Sequence, residues 1–206
     1  MKTITYRGID IEIIPDENAQ SPNEWENEDA FLVYDHRDFC VKRKGFDPYY
    51  IFEHMKETKK PLYDGYWYFP VYAYIHSGVS LSLGRTSYPF NDRWDVSFKG
   101  FALVKKQKGW TWKRDKAISV AQSIVNEWND YLSGNVYGYN IEETGDSCWG
   151  FYGDYDAKGG CLDEAKSNID SYIKEKRKSH FSQLKTWIKN KVPMLHREQM
   201  EKILFN

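Results

Sequence analysis

Four residues whose types could carry out a reaction fall at predicted strand ends or turns: His36, His76, Asp146 and Cys148. A thiol, an imidazole and a carboxylate within hydrogen-bond reach make a nucleophile, its base and the group that orients the base. Cys148 with His76 and Asp35 or Asp146, or Ser77 with His36, would therefore support a small hydrolase or a nucleotide-processing enzyme. No local signature surrounds them: the chain has no G-x-S-x-G elbow and no Q-A-C-x-G or C-G-x-C-W run. The competing reading is structural, with His76 hydrogen-bonded at a strand end and Cys148 packed as a small apolar side chain.

Metal chemistry has a thinner basis. His36-x-x-x-Cys40, Cys148 and Cys161 hold the ligand types for zinc, but no close C-x-x-C pair is present to fold two thiolates onto one ion. His36 and Cys40 would share a face only on a helix, and their segment reads as strand and turn. Asp154-x-Asp156-x-x-Gly159 echoes the start of a calcium loop, yet Lys158 stands at its fifth position and Ala165 at its twelfth, where a bidentate Glu is required. Phosphate-binding glycine patterns are missing as well. No metal and no cofactor are expected.

The elements that must position these residues follow from periodicity. Tyr66 to Gly84, YWYFPVYAYIHSGVSLSLG, reads as two apolar strands meeting at His76-Ser77-Gly78 and as the centre of a sheet. Before it come a hairpin (Thr3 to Tyr6 and Ile9 to Ile14, turning at Arg7-Gly8 and ended by Pro15) and a polar loop over residues 16–29 in which Trp25 covers an apolar patch. Asp35-His36-Arg37-Asp38, a turn or the rim of a cleft, separates two strand pieces, and Asp47-Pro48 opens a helix whose apolar face is Ile51, Phe52 and Met55. Trp94 to Lys105 is a strand in which Gly100 marks a bulge or a close backbone approach. Asp115 to Ser133 is an amphipathic helix stopped by Gly134, and Val136 to Ile141 with Cys148 to Tyr152 form a second hairpin. Leu162, Ala165, Ile169, Tyr172, Leu184, Trp187 and Ile188 stripe a long helical tail with a basic outer face. The predicted fold is α+β: a mostly antiparallel sheet of hairpins, about six to eight strands, packed on one amphipathic helix with the C-terminal helices outside. Residues 1–160 form the core domain and residues 161–206 a helical extension packed on it.

Composition narrows the function classes. Aromatic residues make up 17% of the chain, including 16 Tyr and 8 Trp, while the mean hydropathy is -0.74, a mixture that suits contact surfaces as well as shallow cores. Trp25, Trp110, Trp112 and Tyr137 are the aromatic residues singled out for binding; Trp110 and Trp112 precede Lys113-Arg114 and could stack on bases or guanidinium groups. The net charge of -1 disfavours nucleic acid or an acidic membrane as the main partner. Acidic residues dominate from Asp10 to Asp38 and basic ones from Lys99 to Lys116 and Lys174 to Lys191: solvated faces, or an acidic patch imitating a nucleic-acid backbone. Three cysteines make no disulfide framework, and neither a signal peptide nor a long apolar run is visible, so a cytoplasmic protein is expected.

Tyr74-x-His76-Ser77-Gly78, Asp130-Tyr131-Leu132-x-Gly134-x-Val136-Tyr137-Gly138-Tyr139 and Asp146-Ser147-Cys148-Trp149-Gly150-Phe151-Tyr152-Gly153 together resemble a family of small proteins encoded by bacteriophages and related mobile elements. The likeness spans most of Ala30 to Asp163 and leaves out the N-terminal hairpin and the lysine-rich tail. It implies a setting and not a reaction. An accessory protein in the host cytoplasm that binds a host protein, such as a defence component, is what that setting leads one to expect.

Overall fold

The computed structural model describes residues 1–25, 27–75, 77–84, 96–107 and 114–205, with the side chains of residues 96–99 and 205 left aside. Its elements are β1 (Lys2–Tyr6), β2 (Ile9–Pro15), β3 (Ala30–His36), β4 (Phe39–Val41), α1 (Pro48–Thr58), β5 (Leu62–Tyr63), β6 (Tyr66–Ile75), β7 (Val79–Leu83), β8 (Val96–Lys105), α2 (Arg114–Ser133), β9 (Val136–Ile141), β10 (Asp146–Tyr152), α3 (Cys161–Lys191) and α4 (Arg197–Phe205). The class is α+β, as the hairpin signals predict, but the strands divide between two sheets: one ordered β1-β2-β9-β10, the other β4-β3-β8-β6-β5 with β7 also on β6. The chain forms two compact units, one from Pro15–Tyr137 and Trp149–Tyr155, the other from Met1–Ile14, Gly138–Cys148 and Asp156–Asn206. No helix among the described residues is long and apolar enough to cross a membrane.

In the larger unit the six-stranded sheet carries a helix on each face. Its pairs β3–β4, β3–β8, β5–β6, β6–β7 and β6–β8 are all antiparallel. Side chains alternate across a strand, and β3 uses both directions: Leu32 and Tyr34 join Phe69, Val71, Ala102 and Val104 under α2, whereas Phe31 and Val33 join Tyr68, Phe101 and Leu103 under α1. That is why the β3 sequence reads as an unbroken apolar run. α2 contributes Ala117, Ala121, Ile124, Val125 and Trp128, spaced at one face of a 3.6-residue period. α1 contributes Ile51, with Phe52 and Met55 beside it, and starts at the Asp47 cap, whose Oδ1 accepts from Tyr49 N at 2.8 Å.

Two details fix the sheet centre. β6 and β8 slip register between Val71 and Tyr72, so that Val71 faces Gly100 and Tyr72 faces Phe98, and Lys99 is the bulged residue. The edge strand β7 is held from α2: Asn129 Oδ1 accepts from Leu81 N at 2.7 Å and Asn129 Nδ2 donates to Leu81 O at 2.9 Å. One side-chain amide thus satisfies both main-chain groups of Leu81, at the middle of an edge strand.

In the smaller unit Arg7 and Gly8 turn the β1–β2 hairpin with φ of 52° and 82°, the positive pair that a two-residue turn demands. Ile9, Ile11 and Ile13 are buried on one face of β2, and the first turns of α3 bury Cys161, Ala165 and Ile169 at four-residue spacing. Polar contacts tie α3 to the hairpins: Arg7 Nε lies 2.9 Å from Asp170 Oδ1, Asn168 Nδ2 donates to Tyr139 Oη, and Tyr172 Oη donates to Glu143 O at 3.5 Å. Beyond Tyr172 the helix leaves its support; from residue 174 to 187 only Leu184 is even half-buried.

Candidate binding face

The predicted reactive residues are distributed over both units. His36 ends β3 in the larger unit, where the Arg37-Asp38 turn uses it: His36 Nδ1 accepts from Asp38 N at 3.1 Å and lies 3.8 Å from Asp38 Oδ2. Arg37 Nε is 3.1 Å from Asp38 Oδ1, and this guanidinium holds the Asp38 carboxyl below the usual range. His36 is therefore engaged in closing its own hairpin. Asp146 and Cys148 stand on β10 in the smaller unit, both exposed, with Asp146 N donating to Thr144 Oγ1 at 3.2 Å. The neighbouring Cys161 thiol is pushed up to about 11, by burial first and then by Cys148, which makes it an inert packing group. His76, Trp110 and Trp112 lie outside the described residues. Across the β3–β4 hairpin the Cys40 thiol faces Asp35 at 3.9 Å, and no group of three or more His, Cys, Asp or Glu among the described residues could hold a metal ion.

Of the aromatic candidates, Trp25 and Tyr137 lie among the described residues. Tyr137 is half-buried and meets Tyr155 edge-on at 5.6 Å. Trp25 follows a short 3-10 turn, Pro22–Glu24, capped by Ser21, and its ring stands edge-on to Tyr152 at 4.9 Å. Tyr152 in turn donates its hydroxyl to Gln20 O, so the polar loop is fastened to the end of β10. Trp25 also walls a narrow crevice over Leu32, Ile124 and Trp128, the apolar patch it covers.

Arg43 lines that crevice and two larger depressions. One, of about 760 Å³, lies between the loop carboxylates Glu24, Glu28 and Asp29 and the cations Arg43 and Lys105. The other, of about 450 Å³, runs from Asp35 and Cys40 past Arg43 and Phe46 to Tyr50. Arg43 is half-buried and fixed: its Nη2 donates to Asn27 O at 2.8 Å, and its guanidinium carbon sits 5.0 Å over the Phe31 ring. Phe31 is wedged edge-on between Phe46 at 5.0 Å and Tyr66 at 5.4 Å, so the platform under the guanidinium is rigid. No carboxylate among the described residues lies within ion-pair distance of it, whereas Lys105 is paired with Asp29 at 3.2 Å and raised by it.

Tyr49 and Tyr50, 63% and 62% exposed, form an edge-to-face pair at 5.5 Å on the first turn of α1 beside this groove. The sequence reading passed over both, although the helical period that turns Ile51, Phe52 and Met55 inward already turns them outward. Burial raises the Glu127 carboxyl at the crevice floor, with Asp130 adding to it.

The Tyr152 phenol is pushed up from 10.0 to about 12, by burial first and then by Tyr131, Asp16, Glu127 and Glu24. Its folded value exceeds its unfolded one, so the stability it confers is complete below pH 10 and is lost as pH climbs through about 12. In urea titrations at stepped pH, the wild-type midpoint is expected to fall over that window and Tyr152→Phe to fall less steeply. Burial raises Tyr68 and Tyr139 too, so some slope persists; identical slopes would remove Tyr152 from this role. No protein-family model, no curated protein and no solved structure matches this chain.

Proposed function

We propose that the protein is a non-catalytic binding module of bacteriophage or mobile-element origin that engages a host protein, a component of a defence system being the partner the sequence resemblance favours. The observation that carries this reading is that Arg43 lines three depressions, with Trp25 in the lining of two and Tyr50 in that of the third. Trp, Tyr and Arg are the residue types that dominate binding energy at protein interfaces, because each offers a large, stiff surface with a polar tip. The carboxylates around them, Glu24, Glu28, Asp29, Asp35 and Asp47, suit a partner whose facing surface is basic.

The test is capture from host lysate with the immobilised full chain, followed by titration of the purified partner. Arg43→Ala and Trp25→Ala are each expected to weaken that partner by roughly 30-fold or more, and exposed Tyr50→Ala by about tenfold. A partner held equally by the wild type and by all three variants would exclude this face.

A further inference from the structure

The strongest unexplained surface is the end of the tail. Of the large apolar side chains left exposed, Trp187 (48%), Met194 (81%), Leu195 (87%), Ile203 (67%) and Leu204 (39%) fall in the last part of α3, in the turn after it and in α4. The turn is well defined: Pro193 follows the last helical residues, Val192 N donates to Ile188 O at 3.0 Å, and Arg197 Nε donates back to Val192 O at 2.9 Å. A connection this short makes α3 and α4 a helical hairpin. Ile188 alone is sealed, at 1% exposure, while Trp187 on the same stripe is half open to solvent. The hairpin has the apolar faces of a bundle without the helices that would complete one.

We infer that this hairpin is a self-association surface, on which two copies of the chain join their α3–α4 hairpins into a four-helix bundle. Two hairpins supply the four helices that close a shared core, and a twofold arrangement lets the same residues meet on both sides. The exposed fractions of these five residues amount to roughly 600 Å² per copy, about three quarters of the ~800 Å² that each partner gives to a standard interface, and flanking polar residues of a bundle supply the rest. That is at the upper end of the ~300–600 Å² that the largest apolar patch of a monomer reaches, a size at which such patches are often functional. Lys174, Lys178, Lys185 and Lys189 fall on an adjoining side of α3, where a bundle leaves them hydrated. The aliphatic character of Met194, Leu195, Ile203 and Leu204 suits a packed core better than base stacking. The inference is independent of the binding face around Arg43, which uses other residues in the other unit.

Sedimentation equilibrium of the full chain tests it, with reductant present because the Cys40 and Cys148 thiols are exposed. The wild type is expected at twice 24.4 kDa across the micromolar range, and Leu195→Glu/Ile203→Glu at 24.4 kDa under the same conditions. Met194→Lys is the milder second variant, expected to weaken association at least tenfold. All three replaced side chains are exposed, so the circular-dichroism spectra should match the wild type. A monomeric wild type overturns the inference, and so does a double variant that stays dimeric. A monomeric wild type that co-sediments with phosphatidylglycerol vesicles would assign the hairpin to an anionic lipid surface instead.

Discussion

Gly100→Ala is expected to lower stability by about 4 kcal/mol or more, enough to unfold much of the population of an ordinary domain. Gly100 pairs directly with Tyr34 across β3 and β8, and the tyrosine ring lies over the glycine. A methyl group there would collide with Tyr34 Cδ2 and stand 2.8 Å from Cε2 and 2.7 Å from the Val33 carbonyl oxygen. Neither neighbour can yield. Tyr34 is wholly buried against Phe39, and the Val33 carbonyl belongs to a central strand whose displacement would break the β3–β8 ladder. The measurement is urea denaturation of wild type, Gly100→Ala, Tyr34→Leu and the double variant. The glycine substitution should be less harmful in the Tyr34→Leu background, where the clash with the ring is gone and that with the Val33 carbonyl remains. A Gly100→Ala protein within 1 kcal/mol of wild type would contradict the close approach.

Trp128→Ala is expected to be nearly as damaging, at about 3–5 kcal/mol. The indole is 5% exposed, edge-on to Phe39 at 5.7 Å and to Tyr131 at 6.0 Å, and it forms the floor of the crevice beneath Trp25. Removing it deletes a large buried surface and leaves a void where α2 meets the sheet, which rigid neighbours fill only in part. Trp128→Phe, which keeps a ring in that space, should lose only about 1–2 kcal/mol. Equilibrium unfolding in urea distinguishes the two variants. Equal losses for Ala and Phe would mean that something other than filled volume holds the contact.

The features legible in the sequence are those written in local periodicity. β6 and β7 alternate over Tyr66–Leu83, α2 keeps a single apolar stripe, and the Asp47-Pro48 pair marks the start of α1. Gly100 could be recognised as a close approach because little else explains glycine amid β-branched and aromatic neighbours. The second sheet was not legible, because pairing β2 with β9 spans more than half the chain and leaves no local trace. Nor was the cover over a stripe: Leu184, Trp187 and Ile188 share the spacing of a buried face, yet of the three only Ile188 is fully buried. The reactive residues are a different case. A histidine that closes a hairpin and one that activates a nucleophile occur in the same kinds of turn, so residue type alone does not separate His36 from a base. Arg43 escaped notice because its setting is tertiary, made by Phe31 and Asn27 from elsewhere in the chain.

The strand order β1-β2-β9-β10 sets a schedule for synthesis. The β1–β2 hairpin is translated before Val136–Ile141, the strand that borders it, by some six seconds or more at about 5–20 residues per second. Throughout that interval the row Ile9, Ile11, Ile13 and the open edge of β2 have no native neighbour, so this hairpin is a segment that a chaperone of nascent chains would cover until β9 arrives.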